Sequence, residues 1–525
     1  MKRKTIVTGL LLGTLSGCLW FMACPPNRFF YLAWFAMVPV MFALDRVQNW
    51  KQAAIVSWIA GSVATAGGFY WMVTLMQRFA GMPFLAAVAV YAIFCLYQGI
   101  TFLLFGVTTR AIRQSTALPM VLVAPIVFVA FEWVVPLLFP FYVAITQAWH
   151  PTIIQIAEMT GPLGVSALLL LANATLYDAL HTRGRALKPV TAGVCVIATV
   201  LLFGVVRIRQ VDKAAAGAPM IKVGAIQGNV AYNEKGEKNP ALAPQQLREL
   251  QEHSQKLEAA GAQLIVWSET AYPHWFPREL KQDLPEPNDR RFRRGFSAPL
   301  IAGSVTFSAG PRVYNSALFF DSNGNITGHY DKVELLAFGE ALPTWLDFEF
   351  VRKVVPQGFG HFVRGTGPKT LPFELQDKRR FPISTVICYE DIIPQYLRRV
   401  GALHPFLLVN ITNDSWYGAR TEPWEHLALA VFGSVEQRTS MVRVVNSGVT
   451  AFIDPVGRVR QTIDPVDPSV TATPAESMLA EVPLLQAGNT VYAKVGDMFA
   501  YACIALTAIL LRTKPHVKKQ IKHRH

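Results

Sequence analysis

From the N-terminus to about residue 210, apolar residues come in long blocks separated by short polar connections. Blocks 5–23, 29–44, 53–76, 84–107, 119–139, 153–176 and 190–206 each approach the ~20 residues that a helix needs to cross a bilayer. Block 29–44 is the shortest. An eighth block, 491–511, lies near the C-terminus. A water-soluble core buries one or two such helices, not seven in succession. After residue 218 the pattern changes. "MIKVGAIQGN" reads as a buried strand closing on a Gly-Asn turn, and "LRELQEHSQKLEAAGA" as a helix stopped by Gly261. "QLIVWSET", "PLIAGSVTF", "FPISTVICYED" and "HPFLLVNITNDSWYG" read as further strands, with a hairpin around Asn323-Gly324. Helical "PWEHLALAVFGSVEQRTS" follows. Alternating strands and helices predict an α/β or sandwiched-sheet domain. The expected order is a seven-helix transmembrane domain over 1–212, an α/β domain over 214–490, and a last span with a basic tail over 491–525.

The net charge is +14, and 52% of residues are hydrophobic. With a cytoplasmic N-terminus, the inside segments carry Lys2, Arg3, Lys4, Arg46, Lys51, Arg110, Arg113, Arg183, Arg185 and Lys188, and the tail adds six more cations. The short outside loops carry Arg28 and Arg78. That asymmetry sets orientation and puts 214–490 outside the cytoplasm; Arg207 and Arg209 run against it. The charge serves topology and inner-leaflet contact, so no nucleic-acid partner is expected. "LSGC" at 15–18 has the look of a lipoprotein cleavage box, but apolar "LWFMA" follows, which favours an uncleaved first span.

Cys388 is the single cysteine of the outer block; Cys18, Cys24, Cys95, Cys195 and Cys503 lie in apolar segments. It is either a buried small hydrophobe or a nucleophile. Glu269, Cys388 and the Asn413-Asp414 pair end strands, and Lys332 ends a hairpin. A thiol needs a base to become a thiolate. His329, His361 and His426 are not placed to suggest a Cys–His pair. A glutamate in a dry pocket can serve instead, and a lysine can stabilise thiolate and oxyanion.

"WSET", "YDKVELLAFGE" and "VICYED", in that order, resemble the three motifs of the nitrilase superfamily, with its Glu–Lys–Cys triad and αββα sandwich. "QGN", "YNSALFFDSNGNITGHYDKVELLAFGE", "NITNDSWYG" and "NSGVTAFIDPVGRV" extend the resemblance to the apolipoprotein N-acyltransferase family of the bacterial inner membrane, over nearly the whole chain. The resemblance implies Glu269 as general base, Lys332 as oxyanion stabiliser and Cys388 as nucleophile. It implies Glu340, Tyr389 and Glu390 in support; the candidate substrate contacts are Asn229, Tyr232, Asn413 and Trp416 in these motifs and, from the aromatic segment 345–365, Trp345, Phe359 and Phe362. It implies a periplasmic catalytic domain that passes an acyl chain from a phospholipid, expected to be phosphatidylethanolamine, through a cysteine thioester to the N-terminal amine of diacylglyceryl apolipoproteins. The competing expectations are a membrane-tethered amidase or nitrilase using water, and a silent lipoprotein-binding scaffold. No cofactor and no metal are expected. Two positions depart from the family pattern: Ser268 stands where a proline usually precedes the base, and "VAYNEKGEK" lacks the usual tryptophan, leaving Tyr232 as a stand-in.

Segment 345–365 mixes Trp345, Phe348, Phe350, Phe359 and Phe362 with Arg352, Lys353 and Arg364. It reads as a loop at the headgroup boundary or as an ordinary packed loop. Glu132 and Glu158, inside apolar blocks, are functional acids or snorkelling side chains.

Overall fold

The computed structural model describes residues 2–116, 118–137, 139, 141–181, 187–234, 239–308, 310, 312–336, 340, 362–374, 378–471 and 473–513. Trp345, Phe348, Phe350, Arg352, Lys353, Phe359, His361, Arg183, Arg185 and the tail from Lys514 lie outside them. The chain divides into two compact units. One comprises Met1–Tyr70, Phe84–Val206 and Val495–His525; the other comprises Trp71–Pro83 and Arg207–Lys494.

The first unit is helical. Segments 6–23, 84–115, 162–181 and 187–216 are long and apolar enough to cross a membrane, or five segments qualify if the broken pair 50–68 and 72–80 counts as one. Met120–Val134 and Met498–Arg512 are apolar but shorter. Block 29–44 does not form the expected span. Phe30–Trp34 is a 3-10 turn and Val38–Arg46 a nine-residue helix with Pro39 in its first turn. Nine residues rise about 14 Å, half a hydrocarbon core. Block 153–176 is interrupted at Gly161, whose φ of +66° ends one helix before Pro162 opens the next. Helices Lys2–Ala23 and Trp50–Gly68 pack backbone to backbone. A Cβ on Gly13 would lie 2.5 Å from the Val56 carbonyl oxygen, and one on Gly17 2.6 Å from that of Ala60. Small residues four apart allow this approach. Glu132 is buried, and its Oε1 accepts the Val143 N–H at 2.8 Å. It ties a turn within this unit; Glu158 is also buried, at the start of Ala157–Thr160.

The second unit contains β1 (Met220–Gln227), β2 (Leu264–Trp267), β3 (Phe276–Pro277), β4 (Leu300–Phe307), β5 (Val313–Phe320), β6 (Ile326–Asp331), β7 (Leu371–Glu374), β8 (Arg380–Ile387), β9 (Leu407–Thr412), β10 (Met441–Val445), β11 (Thr450–Ile453), β12 (Val459–Ile463) and β13 (Glu476–Pro483). They form two sheets, ordered β13-β1-β2-β4-β5-β6, with β3 beside β4, and β12-β11-β10-β9-β8-β7. The centre of the second sheet, β8-β9-β10, is parallel. Every residue of β9 and β10 is buried, as expected for strands covered on both faces. Leu247, Leu250 and Leu257 of helix Ala243–Ala259 pack on Ile226, Ile265 and Trp267 of the first sheet. Helix Glu422–Gln437 covers the second, and β1 of one sheet meets β10 of the other. The result is a helix–sheet–sheet–helix sandwich.

Candidate active site

Glu269 follows β2 by two residues, where the chain turns through Thr270 at φ +45°. Gly303 of β4 makes room for that turn, since a Cβ there would lie 2.2 Å from the Ser268 carbonyl oxygen. Lys332 follows β6 directly, and its N–H donates to the Asn315 carbonyl at 2.9 Å. Cys388 follows β8 and opens a 3-10 turn, Cys388–Ile392, with φ +56°. A side chain in the left-handed region is strained by about 1–3 kcal/mol and persists only where its surroundings hold it.

The three expected triad residues converge, together with Glu340. Lys332 is 1% exposed; its Nζ lies 3.2 Å from Glu269 Oε1 and 2.8 Å from Glu340 Oε2. Asn315 Nδ2 donates to both acids, at 2.7 Å to Glu269 Oε1 and 3.0 Å to Glu340 Oε1. Burial pulls the Lys332 ammonium down, but the Cys388 sulfur, Glu269 and Glu340 outweigh it and hold the group well above its usual value. Burial and the Glu269 charge push the Cys388 thiol up to about 12, with Lys332 and His426 opposing. The resting site therefore pairs a neutral thiol with a charged lysine flanked by two acids. It can move a proton from sulfur to carboxylate and hold a developing oxyanion beside the ammonium.

Glu390 has a structural position. Its Oε1 accepts the N–H groups of Val333 and Glu334 at 2.7 and 2.9 Å; its Oε2 accepts the Ile387 N–H and the Tyr330 hydroxyl, both at 2.7 Å. One carboxylate thus ties the chain after Lys332 to the residue before Cys388. Burial pushes it up to about 7. Tyr389 donates to the Leu335 carbonyl at 3.0 Å, and its ring centroid lies 5.8 Å from Lys332 Nζ.

The expected substrate contacts divide. Asn229, at φ +53°, donates through Nδ2 to the Pro474 carbonyl at 2.7 Å, and Asn413 Oδ1 accepts from Asn446 Nδ2 at 2.9 Å; both side chains close loops. Tyr232 and Trp416 pack on each other at 5.0 Å. Trp416 also meets Phe79 at 5.1 Å, and Arg78 lies 5.7 Å over the Tyr232 ring while pairing with Asp467 at 2.8 Å. Trp71 donates to Glu425 at 2.9 Å. Phe362 bridges to Val313 beside β5.

Behind the turn lies a buried ionic knot. Arg443 Nη1 donates to Asp391 at 3.1 Å and Nη2 to Asp414 at 3.1 Å. His426 Nε2 lies 3.0 Å from Asp391, and its Nδ1 lies 3.4 Å from Asp414 and 3.5 Å from Glu422. Among the described residues, Asp414, Glu422 and His426 place one ligand atom each within 4.8 Å of one another. Burial and Arg443 pull the imidazole down, yet Asp391 and Asp414 prevail and hold it well above its usual value. With the Arg443 guanidinium and the imidazole set against three acids, the group reads as an ion-paired brace.

The family model for the apolipoprotein N-acyltransferase N-terminal domain matches residues 16–175, and that for carbon-nitrogen hydrolases matches 222–472. An apolipoprotein N-acyltransferase of Geobacter metallireducens is 30% identical over 513 residues, covering 95% of this chain and 94% of the relative. The chain belongs to the apolipoprotein N-acyltransferase family. A Chlorobaculum tepidum member is 25% identical over 543 residues, covering 96% of this chain and 95% of the relative. Among solved structures, Nit3 of Saccharomyces cerevisiae, from the nitrilase superfamily, aligns with 50% of this chain and 90% of its own at 15% identity and a TM-score of 0.34. In this acyltransferase family member, sequence reasoning missed Asn315, Arg443 and the Trp71–Pro83 segment. Asn315 lay inside the quoted "YNSALFF", where an asparagine in an otherwise buried strand was the available signal.

Proposed function

We propose that the protein carries out the final acylation of lipoproteins in two steps, from the periplasmic side of the inner membrane. Glu269 takes the proton of Cys388, and the sulfur attacks the ester carbonyl of a phospholipid, with phosphatidylethanolamine as the donor. The ammonium of Lys332 balances the tetrahedral oxyanion. Collapse breaks the C–O bond, Glu269 returns the proton to the departing lysophospholipid, and an acyl thioester remains. The α-amine of an S-diacylglyceryl cysteine then attacks the thioester, loses its proton to Glu269, and leaves as an amide while the sulfur regains a proton.

The observation that carries this reading is the Lys332 ammonium, buried between Glu269 and Glu340, with Glu269 and Lys332 following strands of the first sheet and Cys388 following β8 of the second. Glu340 and Asn315 fix the lysine and the base against each other. The lysine and arginine asymmetry of the short connections supports a position outside the cytoplasm for residues 214–490. The hydrolase match leaves water as a competing second nucleophile. Full-length protein incubated with phosphatidylethanolamine alone should gain one acyl group on Cys388 by mass spectrometry, and a diacylglyceryl peptide should discharge it faster than water does. An adduct lost equally fast without peptide would make the protein a hydrolase. No adduct would remove the phospholipid donor. A reporter active only outside the cytoplasm should give signal when fused at residue 300 and none at residue 185; the reverse would invert the topology.

A further inference from the structure

Cys388 sits in a left-handed conformation, and a hydrogen bond to its carbonyl leads into the second sheet. Asn410 Nδ2 donates to the Cys388 carbonyl at 3.0 Å. Arg443 Nη1 donates to the other end of the same amide, Asn410 Oδ1, also at 3.0 Å. The strand register makes this arrangement, because Val386, Asn410 and Arg443 stand side by side across β8, β9 and β10. All three side chains are fully buried.

We infer that Asn410 and Arg443 are positioning residues for Cys388, with Arg443 fixing which way the Asn410 amide faces and that amide holding the nucleophile's carbonyl. An asparagine amide has an acceptor end and a donor end, and a guanidinium has donors alone. With Arg443 against one end, that end must be the oxygen, so the NH2 group must face Cys388. The same Nη1 also donates to Asp391 Oδ2 at 3.1 Å, three residues further along the turn. One buried cation therefore holds the turn at both its first carbonyl and its fourth side chain. Asp414, on Nη2 at 3.1 Å, and His426, on the far oxygen of Asp391, keep the guanidinium in plane. The turn cannot relax toward ordinary helical angles without breaking the Asn410 bond, and relaxation would swing the sulfur away from Glu269 and Lys332. Reacting groups displaced by ~1 Å lose about 100-fold in rate.

The catalytic meaning rests on the acyl-transfer reading above, so the test uses a donor that needs no lipid. p-Nitrophenyl acetate should acylate Cys388 of the full-length protein and release p-nitrophenolate in a burst. Asn410→Asp keeps the shape and the Arg443 partner but offers acceptors alone to the carbonyl. Arg443→Lys keeps the charge but loses the fork. Each should lower the burst rate constant by about 10- to 100-fold, with KM within about twofold and one burst equivalent per enzyme retained. A burst within about threefold of the parent in either variant overturns the inference for that residue. A smaller burst amplitude at the parent rate constant overturns it as well, because that is the mark of a misfolded fraction. If the parent reacts with the ester but takes no acyl group from phospholipid, the acyl-donor assignment falls while the positioning inference is still decided by the variants.

Discussion

The two sheets contribute opposite kinds of electrostatics to one pocket. The first brings Glu269, Asn315 and Lys332 from β2, β5 and β6, with Glu340 beyond, and sets two acids against one cation beside a neutral thiol. The excess acid leaves a carboxylate able to accept a proton. The second brings Asp391, Asp414, His426 and Arg443 behind Cys388, two anions against two cations, every one buried; a third acid, Glu422, lies 3.5 Å from His426, and burial and the Asp414 charge push it up to about 7, toward its neutral form. A balanced set has nothing to gain from moving a proton and serves as a frame. Burial alone therefore does not mark a catalytic acid: Glu269 and Asp391 are both buried, and what separates them is whether a cation matches each charge.

That contrast can be broken at several points. Cys388→Ala should abolish acyl-enzyme and transfer together; a labelled adduct persisting in this variant would place the nucleophile elsewhere. His426→Leu strips a cation from the frame and should cost about 3–5 kcal/mol of stability, as loss of one partner from a buried pair does, seen as a lower unfolding temperature in detergent. Lys332→Ala should slow turnover about 100- to 1000-fold, the range for losing one oxyanion-stabilising donor, and should lower the unfolding temperature as well, because it leaves Glu269 and Glu340 buried without their cation. Glu269→Gln should stop acylation yet speed alkylation of Cys388 by iodoacetamide between pH 8 and 9, because one of the charges that pushes the thiol up to about 12 is gone. In the parent, that raised thiol keeps its proton while an unfolded chain loses it near ~8.5, so stability falls as pH climbs above that point. Arg78→Ala removes a partly exposed pair with Asp467 and should cost about 1 kcal/mol or less.

The triad was legible because each member ends an apolar run inside a motif, where a strand must release its side chain into a pocket. Glu340 was legible through the family resemblance, which implies a second glutamate eight residues after Lys332. Asn410 and Arg443 were not, because their meaning depends on register between strands 33 residues apart in the chain. Asn229 reads as a substrate contact from its motif, yet the fold uses its side chain to hold the loop at Pro474. Block 29–44 reads as a span by hydropathy, which takes no account of a proline and a 3-10 turn that divide it. Hydropathy also merged the end of block 53–76 into one helix. The chain breaks near Tyr70, and Trp71 onward joins the sandwich unit.

That last segment has a consequence for the order of biosynthesis. Trp71–Pro83 leaves the ribosome long before the rest of its unit, and Asp467, the partner of Arg78, follows 389 residues later. At about 5–20 residues per second the wait is roughly 20 to 80 s. Over that interval an arginine, a tryptophan and a phenylalanine wait without the surface that finally receives them. The first-made and last-made parts of the sandwich are thus joined only when translation is nearly finished, which makes completion of the chain itself the event that closes the fold.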